Sequence, residues 1–178
     1  VSPLVRATFA QVAEIVNKVA QSGLITLNLE EFLPKDIVPF DIEPYLFQGL
    51  ILKEKDFRAA LKEIDWTAFG NKHVALFCST DAIIPHWAYM LLSTYLVEHA
   101  ISINTGTLKE IQKLLFLEQL RKTPLEQYTD KRMIIKGCGD EQVDAFAYVE
   151  ITWRLLPIAK SIMYGEPCST VPVYKKKS

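Results

Sequence analysis

Three cysteines are the residues best suited to chemistry in this chain, and each sits among small polar residues rather than among leucines and valines. They read Phe77-Cys78-Ser79-Thr80-Asp81, Gly137-Cys138-Gly139-Asp140 and Pro167-Cys168-Ser169-Thr170. A thiol in such company is open to solvent or ligand. At a strand-to-helix junction it also faces helix amides, which stabilise the thiolate that attacks electrophiles or binds metal. Cys138, between two glycines, has the freest backbone and is the first candidate for a catalytic or ligating sulfur. Of the three histidines, His86 is the one placed to join the thiols, so Cys78, Cys138, Cys168 and His86 form the candidate metal set. Zinc or an iron–sulfur cluster is the group such donors would hold, with zinc needing ligands at about 2.0–2.3 Å.

Other chemistries are excluded by the residues. There is no Cys-x-x-Cys pair for a thioredoxin-type site or zinc knuckle, no Walker phosphate loop and no Gly-x-Ser-x-Gly elbow. Gly137-x-Gly139 starts a dinucleotide fingerprint, but Gln142 stands where its third glycine belongs. A phosphatase loop would carry arginine six residues after the thiol, where Ile84 and Asp144 stand instead.

The elements that must position these residues read as α/β. An amphipathic helix over Ala7–Gln21, with Phe9, Val12, Ile15, Val16 and Val19 on one stripe, precedes a strand at Leu24–Leu29. Pro34, Pro39 and Pro44 predict an irregular stretch with a short helix near Tyr45–Gln48. Phe57, Leu61, Ile64 and Ala68 mark another helix. Strands at His73–Phe77, Ile101–Ile103 and Arg132–Lys136 then alternate with helices over Ala82–His99, from Thr107, and from about Glu141. Thr107-x-x-Glu110 has the spacing of a capping box.

This order predicts one α/β domain over residues 1–178, with a mostly parallel sheet of about three to five strands covered by helices. Residues 1–13 read as a candidate N-terminal extension and 172–178 as a basic tail ending in Lys175, Lys176 and Lys177.

Ligands in open parallel sheets bind beyond the carboxyl ends of strands. That rule selects a candidate pocket of Cys78, Ser79, Thr80, Asp81, Thr105, Gly137, Gly139 and Asp140, with His86 nearby. Thr80, Asp81, Thr107 and Asp140 are equally the residue types of helix N-caps. His73 and His99 belong at the opposite edge. Cys168 is remote if the last helix runs unbroken from Glu141 to Met163, about 34 Å at 1.5 Å per residue. Pro157 would break that helix and let a return segment bring Cys168 back.

Lysine plus arginine number 20 against 21 aspartate plus glutamate, a balance that disfavours nucleic acid as a partner. The most apolar stretch, Ala82–Val97, is broken by Pro85, His86, Ser93 and Thr94, and predicts no membrane span. The first twenty residues do not read as a signal peptide, and an odd cysteine count then predicts a reducing cytoplasm.

Whole phrases of the chain resemble a bacterial family, domain of unknown function 2480, found chiefly in Bacteroidota. They are Glu14–Ile25, Phe47–Leu52, Lys55–Arg58, Asp81–Pro85 with Trp87–Met90, Ile135–Asp140 and Ala159–Pro172. The residues before Ala13 fall outside the likeness. The resemblance brings no catalytic residues with it. What it implies about partners is an association with iron–sulfur assembly proteins, beside whose components family members are encoded.

Three functions follow as expectations. The first is a cytoplasmic accessory protein handling metal or sulfur through Cys138 and Cys78, with Cys168 and His86 as further ligands. A non-enzymatic interaction module would instead use aromatics such as Trp66, Trp87 or Tyr174. A binder or enzyme for phosphate-bearing small molecules would use the loop amides, Thr105 and Asp140.

Overall fold

Short apolar runs make the central strands. Val74-Ala75-Leu76 and Met133-Ile134-Ile135 are exposed by 2% or less, as strands covered on both faces must be. The computed structural model describes residues 23–137 and 143–177. Strands β1 (Leu24–Asn28), β5 (Arg132–Lys136), β6 (Ser161–Glu166) and β7 (Ser169–Lys175) form one sheet in the order β1-β5-β6-β7. A second sheet, β2-β3-β4, takes β2 (Ile37–Asp41), β3 (His73–Phe77) and β4 (Ser102–Thr105). Every neighbouring pair is parallel except the β6–β7 hairpin. The expected mostly parallel α/β class holds, with its strands shared between two sheets.

Among the described residues four α-helices cover them: α1 (Glu54–Lys62), α2 (His86–Leu96), α3 (Leu108–Lys122) and α4 (Ala145–Leu155). Phe57 and Leu61 of α1 and Ala88, Leu92 and Leu96 of α2 pack with Val74 and Leu76 on one face of the β2-β3-β4 sheet. Helix α3 lies on the other face, where Ile111 and Leu115 meet Ala75 and Ile37. Its next pair, Phe116 and Leu120, sits about 140° further round at 3.6 residues per turn. That pair enters the core of the four-stranded sheet, with Met133, Ile135 and the α4 residues Ala147, Ile151 and Leu155. One helix therefore serves both sheets. Arg121 ties it to α4 through two bonds to Glu150, at 2.9 and 3.0 Å. Arg154 reaches back to the α3 end, donating to the carbonyls of Leu120 and Thr123.

Several boundaries differ from the sequence expectation for identifiable reasons. The helix expected over Ala82–His99 begins only at His86, because Pro85 (φ −62°, ψ 140°) is extended and forms its N-cap. Thr80 and Asp81 consequently cap nothing there. The helix expected to run towards Met163 stops at Leu155, since Pro157 has no N–H to give the Trp153 carbonyl. The residues beyond it make the β6–β7 hairpin, so Lys175 ends a strand. Pro39 lies within β2, which tolerates it as an edge strand of its sheet. The N-terminal helix expected over residues 7–21 lies outside the described residues. No helix among the described residues is long and apolar enough to cross a membrane.

If α3 joins the two sheets, truncating its inner side should unfold both together. Phe116→Ala, at a residue 1% exposed, should lose about 3–5 kcal/mol in urea unfolding with a single transition. The exposed Gln112→Ala should change stability by about 0.5 kcal/mol or less.

Candidate functional site

The carboxyl ends of β3 and β4 open into a hollow of about 590 Å³, lined by Cys78, Thr80, Tyr89, Thr105, Gly106, Thr107 and Glu110 among others. Two of the three loops singled out in the sequence thus meet at one place. Cys78 is half-buried, its Sγ 3.3 Å from the Thr80 hydroxyl. Asp41, at the end of β2, fixes the loop by accepting the N–H groups of Ser79 and Glu43, each at 3.0 Å. Burial alone would raise the Asp41 pKa, but hydrogen bonds from Ser79 and Glu43 hold it below the usual value. Partial burial and the neighbouring Cys78 push the Tyr89 phenol upward.

The start of α3 closes this hollow. Gly106 turns at φ +135°, which a side chain would rarely adopt. Thr107 and Glu110 then complete the expected capping box, with the Glu110 carboxylate accepting the Thr107 N–H at 2.8 Å. Those hydrogen bonds draw the Glu110 pKa down, so it is anionic at neutral pH. A carboxylate at that turn repels a phosphate, which weighs against the small-molecule reading.

The third loop belongs to the other sheet. Gly137 follows β5, and a β-carbon there would stand 2.6 Å from the Tyr148 hydroxyl oxygen and 3.3 Å from Leu29 Cβ. Only glycine fits. Cys138, Gly139 and Asp140 lie outside the described residues. Cys168 is exposed in the turn between β6 and β7, at the same edge as Gly137 because β6 runs parallel to β5. Cys78 follows β3 in the second sheet, and His86, exposed at the start of α2, does not line its hollow. Among the described residues, no group of three or more His, Cys, Asp or Glu is arranged to hold a metal ion.

A second concavity, absent from the sequence reading, lies between α4 and the β6–β7 hairpin. It encloses about 510 Å³ and is lined by Ile135, Tyr148, Val149, Thr152, Trp153, Leu156, Ile162, Met163, Tyr164 and Val173. Its rim is unusually bare: Trp153 is 76% exposed, Val149 69% and Val173 56%. The aromatics expected to dock partners behave otherwise. Trp66 stacks between Phe40 and Tyr95 and donates to the Leu61 carbonyl, Trp87 meets Phe57 edge-on, and Tyr174 packs on the four-stranded core. The signal for Trp153 was present in the spacing, because Val149, Trp153 and Leu156 fall outside the stripe Ala147, Ile151 and Leu155 that fills the core.

The family model described as protein of unknown function (DUF2480) matches residues 13–176. The chain belongs to this family. No curated protein and no solved structure matches it. The DUF2480 match takes in both concavities and all three cysteines.

The Asp41 carboxylate should make the loop at Cys78 sensitive to acid. A carboxyl with a lowered folded pKa stabilises above its unfolded value, 3.8, and loses that contribution as pH falls through the folded one. Compared by thermal unfolding between pH 2.5 and 7, the parent protein should exceed Asp41→Asn by a constant margin above about pH 5. That margin should shrink as pH falls below 3.8, and a margin independent of pH would contradict this role.

Proposed function

We propose that this protein is a non-enzymatic interaction module that receives an apolar segment of a partner protein between α4 and the β6–β7 hairpin. The observation that carries it is Trp153, 76% exposed at the rim of an apolar concavity. Exposed apolar patches of this kind mark interaction sites, and tryptophan is the residue most enriched among their energetic anchors. Burying a bare tryptophan and its valine neighbours supplies the driving force, while the polar side of α4 is already engaged by α3.

Peptides selected for binding from a random display library should converge on sequences rich in aliphatic and aromatic residues. Trp153→Ser should weaken the selected peptides about thirtyfold, the loss of roughly 2 kcal/mol typical of an anchor residue. Its thermal stability should stay unchanged. A selection without consensus, or binding indifferent to that substitution, would refute the proposal.

A second reading keeps the metal or sulfur role, confined to the four-stranded sheet. What supports it is the exposed Cys168 at the edge to which Gly137 leads, one residue before Cys138. In this reading the pair supply two of the ligands for zinc or an iron–sulfur cluster in a cytoplasmic accessory protein, iron–sulfur assembly proteins supply the others, and Cys78 and His86 are left out. Untagged protein purified anaerobically should contain zinc, or iron with labile sulfide, and Cys138→Ser should lose it. Metal-free protein would exclude this reading.

A further inference from the structure

We propose that the four-stranded sheet carries a second site on the face turned away from α4, a basic concavity that binds a soluble organic phosphate. Side chains alternate along a strand, and residues paired across strands share a face. Met133, Ile135 and Ile162 enter the core beneath α3 and α4. Arg132, Ser161 and Lys175, paired in one row across β5, β6 and β7, therefore face the other way. The next row on that face is Ile134, Met163 and Pro172. Strands lie about 4.8 Å apart, so Arg132 and Lys175 flank Ser161 within reach of their long side chains. With Lys160 and Lys176 these residues bound a hollow of about 540 Å³.

Four cations thus meet at one place, in a chain whose 20 basic and 21 acidic residues otherwise balance. Lysines 175 and 176 read as part of a basic tail in the sequence, but the fold gives both fixed positions. Lys175 ends β7 in register with Ser161, and the Lys176 N–H donates to the Lys160 carbonyl at 3.0 Å. The Lys160 N–H in turn donates to the Lys131 carbonyl at 2.8 Å, beside Arg132. Lys160 and Lys175 enter no ion pair among the described residues, while Lys176 lies 3.3 Å from Asp130. Like charges gathered by an ordered backbone repel one another, and a bound anion relieves that repulsion.

The donor set selects the anion. Ammonium groups and a guanidinium recognise phosphoryl oxygens, and several around one hollow exceed what a single carboxylate needs. The floor has a different chemistry. Met163 is half-buried and Pro172 exposed, and neither side chain carries a charge or a hydrogen-bond donor. A thioether and a proline ring suit an apolar or aromatic body. The volume falls in the range of small-ligand sites. A concave site of that size admits a small molecule, whereas a bilayer surface would meet only its rim.

Isothermal titration of the whole protein with inorganic phosphate and with phenyl phosphate, at low ionic strength, tests the proposal. Phenyl phosphate should bind about tenfold tighter, because its ring buries apolar area on Met163 and Pro172. Lys160→Gln combined with Lys175→Gln should weaken it at least about thirtyfold, without lowering the melting temperature of the unliganded protein. Lys62→Gln on α1 and Trp153→Ser on the opposite face should leave it unchanged. Failure of both ligands to bind at millimolar concentration, or an equal loss in Lys62→Gln, would overturn the site. So would cosedimentation with phosphatidic acid vesicles that phenyl phosphate does not displace, which would assign the lysines to a membrane surface. Capture of polyglutamate that phenyl phosphate does not displace would overturn it too, in favour of an acidic protein partner.

Discussion

Helix α3 has to satisfy two sheets at once. Ile111 and Leu115 face β2 and β3, while Phe116 and Leu120 face β5 and α4. A helix apolar on two sides is normally a buried one, and α3 stays amphipathic only because the remaining arc, with Glu110, Lys113, Glu118 and Arg121, stays in water. Removing either apolar pair would strip one sheet of its cover. The rest of the architecture, including the distribution of possible chemistry, follows from this sharing.

One consequence is that the strand ends do not converge on a single crevice. The thiol of Cys78 belongs to the end of β3, whereas Gly137 and Cys168 lie at the end of the other sheet. A second is that α4 is committed on one side only. Its core stripe and its bonds to α3 through Glu150 and Arg154 hold it firmly. Its remaining flank, with Trp153, faces the groove above the hairpin. The rigid side supplies the preorganisation that a docking surface requires, since little side-chain ordering remains to be done on binding.

The strands and helices with strong periodicity were legible from the residues: His73–Phe77, Arg132–Lys136 and the capping box at Thr107 all stand where spacing put them. The mostly parallel α/β class followed from their alternation. Sheet membership did not, because β3 and β5 are equally apolar and nothing in a continuous buried run names its neighbour. Ser161–Glu166 was hidden for a similar reason: with Pro157 tolerated as a kink, Ile162 and Met163 also extend a helical stripe. The crevice at Cys78 and Thr105 was readable from loop composition, since both loops leave parallel strands. The exposed flank of α4 was legible only in part: spacing sets Val149, Trp153 and Leu156 off the stripe that fills the core, but it does not say that nothing else in the fold covers them.

The claim that Trp153 is the anchor of a docking site is tested most directly by oxidative footprinting of this protein inside its own cells and after purification. Met90, 70% exposed on α2 and remote from the groove, serves as the internal reference. The account predicts that Trp153 is oxidised readily in the purified protein and protected several-fold in the cell, with Met90 labelled alike in both. Equal labelling of Trp153 in the two settings would show a groove that nothing occupies, and would contradict the account.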